Sequence, residues 1–277
     1  MFNIFQYGFI QNAFIAGSIV AVVAALLGYF LIVRGLTFAG HALSNVGFAG
    51  AAGAVLAGIQ PVYGLVIFTV AGSVIISILG KRIRERDVAV GVVMTFALGL
   101  GILFLSLYHG FAESAYSILF GSILGISQSD VIVTALFSLI IILGFGYLAR
   151  PLMFSSFDPE AAEARGVPVR TLDIIFLILV ALAISVSMQI VGVLIVFALL
   201  VGPAATANRL TPRPARAMGL AIVLGLIYIW LGIILAANTV FPVSFFVAAL
   251  SFVVYLPVRL LSSHWWGRGF RGENVHA

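Results

Sequence analysis

The chain has 277 residues, of which 63% are hydrophobic and 8% charged, with a formal net charge of +5 and no cysteine. A soluble domain carries about 25% charged residues, and a compact fold cannot hide this much apolar surface, so lipid is the solvent for much of the chain. The absence of cysteine excludes disulfides, thiolate metal sites and cysteine nucleophiles. The basic charge is spread over loops, which argues against a nucleic-acid-binding face.

Lys, Arg, Asp and Glu are absent from residues 1–33, 35–80, 88–112, 131–149, 174–208 and 217–258. A helix crosses a bilayer with roughly 20 apolar residues and satisfies its own backbone there. These runs predict an all-α, polytopic transmembrane bundle of about eight or nine spans, one domain over 1–277. They are too long for the strands of a transmembrane barrel.

Basic loops stay cytoplasmic, and one topology puts all fourteen Lys and Arg residues inside. Span 1, about 12–33, has no basic segment before it, reads as a true span rather than a signal peptide, and ends inside at Arg34. Span 2, about 37–57, is crowded with Gly and Ala from Ala39 to Gly53, the composition of a helix buried among others. After an outer turn at Gly58–Pro61 comes span 3, about 62–80, then an inner loop from Lys81 to Asp87, then span 4, about 88–107. Residues 114–126 are apolar but short, and read as a re-entrant or interfacial half-helix.

Span 5, about 131–149, returns to Arg150, and 150–170 is the largest cytoplasmic loop. The uncharged run 174–208 exceeds a single crossing and is broken near Met188-Gln189 into spans 6 and 7. Span 8 covers about 217–237, Asn238–Pro242 is an outer turn, and span 9 covers about 243–258. Trp265 and Trp266 follow as an inner interfacial anchor.

Three polar constellations stand out. His41 and Asn45 lie four apart inside span 2 and so share a helix face. Polar groups at membrane depth are costly and tend to face a pathway or bond a neighbouring helix, and a neutral imidazole is the commonest side-chain metal ligand. Spacing leaves both readings open. Glu113 and Asp130, with His109 nearby, flank the half-helix on the outer side, either as an acidic vestibule or as hydrated loop acids.

The third constellation is Phe157-Asp158-Pro159-Glu160-Ala161-Ala162-Glu163-Ala164-Arg165-Gly166. Asp158 suits an N-cap, Pro159 the first helical position and Gly166 a left-handed C-cap. A short helix over about 159–165 follows, too short to stand alone, which suits either docking of a cytoplasmic partner or rest against its own bundle.

Glu160-Ala161-Ala162 followed by Gly166 resembles the coupling motif of ABC importer permeases. The wider stretch from Phe157 to Arg170 is similar to the manganese/zinc/iron-type permease family. Gln189-Ile190-Val191-Gly192-Val193-Leu194 with Pro203-Ala204-Ala205-Thr206-Ala207 resembles that family's QVVGVLL and PAATA stretches. Gly40-His41-Ala42-Leu43-Ser44-Asn45 resembles its GDALSH, with His41 where the family has Asp and Asn45 where it has His. The similarity runs from about 10 to about 255.

The resemblance implies a permease in the bacterial inner membrane, not an enzyme. Asp158, Glu160, Ala161, Ala162 and Gly166 would couple it to a separate ATP-binding subunit, and an extracytoplasmic solute-binding protein would deliver substrate to a homodimer of permeases. His41 and Asn45 would stand on the substrate path as metal-contacting residues for zinc or manganese. Replacing the family's carboxylate by neutral groups also leaves room for a metal chelate or a non-metal solute. No cofactor is expected on this chain: Lys81 follows Gly80, but Ile75 and Arg82 stand where a P-loop needs Gly and Ser or Thr. A secondary transporter would need intramembrane acids, and only Asp173 at an inner end comes near. An intramembrane enzyme lacks a nucleophile elbow or HExxH helix.

Overall fold

The structure, a computed structural model, describes residues 8–79, 83–108, 125–239 and 241–269, with the side chains of 83–86, 194 and 262–269 left aside. Among the described residues it has ten helices and no strand. They are α1 (Gly8–Val33), α2 (Thr37–Leu56), α3 (Pro61–Leu79), α4 (Ile83–Leu107), α5 (Gln128–Phe157), α6 (Pro159–Ala164), α7 (Val169–Val191), α8 (Val193–Leu210), α9 (Pro214–Ala237) and α10 (Val243–Gly269). Seven are long and apolar enough to cross a membrane: α1, α3, α4, α5, α7, α9 and α10. The 20-residue α2 falls short in hydropathy because glycines, His41 and Asn45 dilute its apolar residues, and α8 is apolar but shorter.

The arrangement has a centre and two flanks. In the most apolar windows of α1 and α7, 67% and 72% of residues are buried, against 17% in α4, so α1 and α7 are the core helices and α4 faces outward. On one flank α2 packs on α3, α4 and α7; on the other, α8, α9 and α10 pack on one another, and α8 and α9 on α1. The helix α5 leans on α1 and α7. The outward faces carry Phe96, Leu136, Leu143, Phe252 and Leu260, all exposed, as lipid-facing surfaces are.

Close approach explains the glycines of α2. A Cβ on Gly50 would lie 2.2 Å from the carbonyl oxygen of Gly64, and one on Gly64 2.0 Å from that of Gly50. The two backbones touch where neither has a side chain, as small residues permit within a membrane. A single cross-helix polar bond supports the same region: the hydroxyls of Thr69 on α3 and Ser185 on α7 lie 2.6 Å apart, both buried.

Two sequence boundaries shift. The break in the long uncharged run falls at Gly192, not at Met188-Gln189. Gly192 has φ +79° and ψ 165°, a conformation essentially confined to glycine, while Gln189 stays helical and donates to Asp130 Oδ1 at 3.3 Å. The fifth helix also outruns its apolar stretch, continuing through Arg150 and Pro151 to Phe157; the Ser155 and Ser156 hydroxyls fold back onto the Leu152 carbonyl there. The expected half-helix at 114–126 lies almost wholly outside the described residues, as do His109, Glu113 and the side chains of Trp265 and Trp266.

Candidate functional site

The helix α2 is buried almost without interruption. From Ala39 to Ala52, every residue is buried except His41 and Asn45, which are partly accessible. The two polar residues thus mark the one strip of this stretch that reaches open space, one turn apart as their spacing requires. Asn45 Nδ2 donates to the His41 carbonyl at 3.0 Å. The His41 ring meets the ring of Phe197 on α8 edge-on, with centroids 4.7 Å apart and planes at 60°. Its Nδ1 is buried and has no hydrogen-bond partner. An unpartnered imidazole nitrogen is costly to bury, and it is a lone pair or an N–H free for a ligand.

Phe197 also lines a groove of about 380 Å³ between α8 and α10, whose wall includes Val201, Ser251, Phe252 and Tyr255. The groove is predominantly apolar, and His41 is not among the residues that line it. No group of three or more His, Cys, Asp or Glu is placed to hold a metal ion among the described residues. Among the described residues, His41 and Asn45 form a two-residue polar strip on α2.

The second site is the short helix α6. Asp158 accepts a bond from the Ala161 N–H at 2.9 Å, and Pro159 opens the helix, as N-cap and N1 preferences anticipate. It ends at Gly166, φ +79°, where Gly166 N–H bonds the Glu163 carbonyl at 2.9 Å and Val167 N–H the Ala162 carbonyl at 3.0 Å. This is the paired bonding of a Schellman cap. Ala162 points into the bundle and is fully buried, whereas Asp158, Pro159, Glu160, Glu163, Ala164 and Gly166 are exposed. Phe157, just before the cap, is 62% exposed, and the Arg165 guanidinium stacks 5.3 Å from the centre of the Phe154 ring. The helix is anchored through one small side chain and offers an acidic, solvent-facing ridge.

Of the acids expected to flank the outer side, Asp130 already has partners in the fold. It forms a capping box with Ser127 at the start of α5 and accepts from Gln189. Two features escaped the reading of the sequence: Phe197, an apolar residue with no distinguishing pattern, and the environment of Arg34. The Arg34 side chain is 6% exposed and pairs with Asp173 at the start of α7. It also donates to Leu152 O at 3.2 Å and to the Ser155 and Ser156 hydroxyls at 3.0 Å each. The only sequence signal was a basic residue and an acid at the inner ends of two apolar runs.

Comparison with known proteins gives this geometry a family. The chain is 30% identical to the manganese transport system membrane protein MntC of Halalkalibacterium halodurans, over 99% of this chain and 96% of that one. It is 31% identical to the manganese import system permease protein ScaB of Streptococcus parasanguinis, over 88% and 92%. It is 33% identical to a probable iron transport system membrane protein of Haemophilus influenzae, over 89% and 94%. Its fold matches that of PsaBC from Streptococcus pneumoniae in complex with Fab, with a TM-score of 0.82 at 27% identity over 92% of each chain. The family model of the ABC 3 transport family matches residues 6–262. A polar strip on a buried helix, an exposed capped helix at the basic end, and a match along nearly the whole length together place this chain in the ABC 3 transport family, as a multi-pass membrane permease of an ABC metal importer and not an enzyme.

Proposed function

We propose that this chain is the permease of an ATP-driven importer for a free divalent transition metal, manganese or zinc, with His41 and Asn45 on the substrate path. The observation that carries the reading is the pair of polar residues that alone break the burial of α2 between Ala39 and Ala52, one of them with an unpartnered ring nitrogen. The names of the relatives favour manganese. Ligand chemistry admits both ions, since an imidazole nitrogen suits zinc and an amide oxygen suits manganese. A metal chelate is the second reading, favoured by the absence of a carboxylate at this strip and of any three-residue metal cluster among the described residues.

In this proposal α2 and α8 cross the membrane with the seven more apolar helices, giving nine crossings. The helix α6, with Asp158, Glu160, Ala161, Ala162 and Gly166, docks into the ATP-binding subunit. ATP is bound and hydrolysed there, and this chain carries no cofactor of its own. Two permease copies and two ATPases assemble, and an extracytoplasmic solute-binding protein delivers the metal.

The test is uptake into proteoliposomes holding the chain with its ATPase, comparing Mn²⁺, Zn²⁺, Fe²⁺ and a chelated metal in wild type and His41→Ala. ATP-dependent import of one free ion, reduced at least tenfold in the variant, is the expected result. Import of the chelate alone, or uptake unchanged in the variant, overturns the assignment of substrate or of His41 respectively.

A further inference from the structure

The exposed helix α6 packs on its neighbours α5 and α7, whereas His41 sits on α2. Something must connect them if events at the first are to reach the second. The structure assigns that role to Arg34: we propose that it is a positioning residue that clamps both roots of the 158–166 element to the α1–α2 corner, so that movement of that element is transmitted to His41. This inference rests on the docking role of α6 given above.

The connection on the α2 side is short. Arg34 is the C-cap of α1, and the chain turns at Gly35 with φ +66°. Gly35 N–H bonds the Ile32 carbonyl at 3.1 Å and Leu36 N–H the Leu31 carbonyl at 2.7 Å, a Schellman cap. Leu36 is 1% exposed, and its carbonyl accepts from the Gly40 N–H at 3.1 Å, already inside α2. Seven positions thus separate Arg34 from His41, along a Schellman-capped turn that opens directly into α2.

On the other side one guanidinium holds two segments. Nη1 reaches Leu152 O, Ser155 Oγ and Ser156 Oγ in the last turns of α5, immediately before Asp158. Nη2 pairs with Asp173 in the first turns of α7, immediately after the element. The planar fork of arginine can address both at once, and a lysine ammonium, a compact point charge, cannot. The site is nearly dehydrated, Arg34 being 6% exposed and Asp173 27%, so these bonds are weakly screened and breaking one leaves a buried charge short of partners. Substitutions along such bonded networks change coupling between sites by factors of about two to thirty.

The absence of native cysteine provides a readout that does not depend on knowing the substrate. The complex with its ATPase is prepared as His41→Cys, and the rate of labelling by a water-soluble maleimide is measured nucleotide-free and trapped with ATP and vanadate. With Arg34 present the two rates differ at least fivefold. With Arg34→Met the difference collapses below twofold while the ATPase still co-purifies and hydrolyses ATP. Arg34→Lys and the double variant Ser155→Ala, Ser156→Ala give intermediate losses, and serve alone should Arg34→Met fail to insert. A nucleotide-dependent change retained in full in all three variants, or absent with Arg34 present, overturns the proposal. Failure of the docking role is read separately: Gly166→Trp and Glu160→Arg would then bind the ATPase normally.

Discussion

The contact between Gly50 and Gly64 permits a quantitative test of the packing. In Gly50→Ala the new Cβ would stand 2.2 Å from the Gly64 carbonyl oxygen, and ordinary contact begins near 3.4 Å, so α2 and α3 must part by about 1.2 Å at the crossing. The obstructing atom is backbone, and no rotamer change relieves it. Over-packing of this kind costs about 1–3 kcal/mol, offset by about 1 kcal/mol of improved helix propensity on replacing glycine by alanine, for a net loss of up to about 2 kcal/mol. At about 2–4 °C per kcal/mol for a chain somewhat shorter than this one, the melting midpoint in detergent falls by up to about 8 °C. The matched control is Gly99→Ala on α4, where a Cβ meets nothing within 4 Å and only the propensity gain remains. Thermal unfolding followed by fluorescence-detected gel filtration compares the three proteins. If Gly50→Ala melts no lower than Gly99→Ala, the helices have slack at this crossing and the account of the glycine-rich face is wrong.

Three further outcomes follow from the sites. Asp158→Ala removes the N-cap bond to Ala161; a loss of about 1 kcal/mol in so short a helix lowers affinity for the ATPase about fivefold, measured by titrating the ATPase onto the permease in nanodiscs. Gly166→Ala meets no steric obstacle, since its Cβ has nothing within 4 Å, yet its φ of +79° costs an L-residue roughly 1–2 kcal/mol. Gly166→Asn, which tolerates that conformation better, then retains more ATP-driven uptake than Gly166→Ala, and equal uptake in the two would refute the backbone argument. His41→Asp adds a carboxylate to the accessible strip of α2; it raises the apparent affinity for Mn²⁺ over Zn²⁺ in uptake assays, and an unaltered preference would remove position 41 from the path.

What could be read from the chain was what local chemistry decides. Asp158 caps Ala161 and Gly166 bonds Glu163, each three positions away, and Pro159 fits N1 by its own ring, so the short helix was legible almost to the residue. His41 and Asn45 share a face by helical geometry alone, and the small residues of α2 announced its burial. The misplaced break arose because Gln189 is polar in an apolar run, while the property that interrupts the helix is conformational and belongs to Gly192. The polarity of Gln189 is absorbed by Asp130, 59 positions away, and no local pattern shows that. The same limit hid Phe197, whose importance is its contact with His41, and Arg34, whose partners lie 118 to 139 positions along the chain.

The single-residue joint at Gly192 has a genetic consequence. The helices α7 and α8 meet there with no loop between them, and φ +79° with ψ 165° is the whole of the connection. Every glycine codon begins with two guanines, so each missense change reachable by one nucleotide substitution installs a side chain and removes that conformation from the residue's comfortable range, at about 1–3 kcal/mol. Mutational drift can therefore explore the exposed positions of both helices more readily than the angle between them. That codon tolerates only silent change unless compensating shifts arise elsewhere in the bundle.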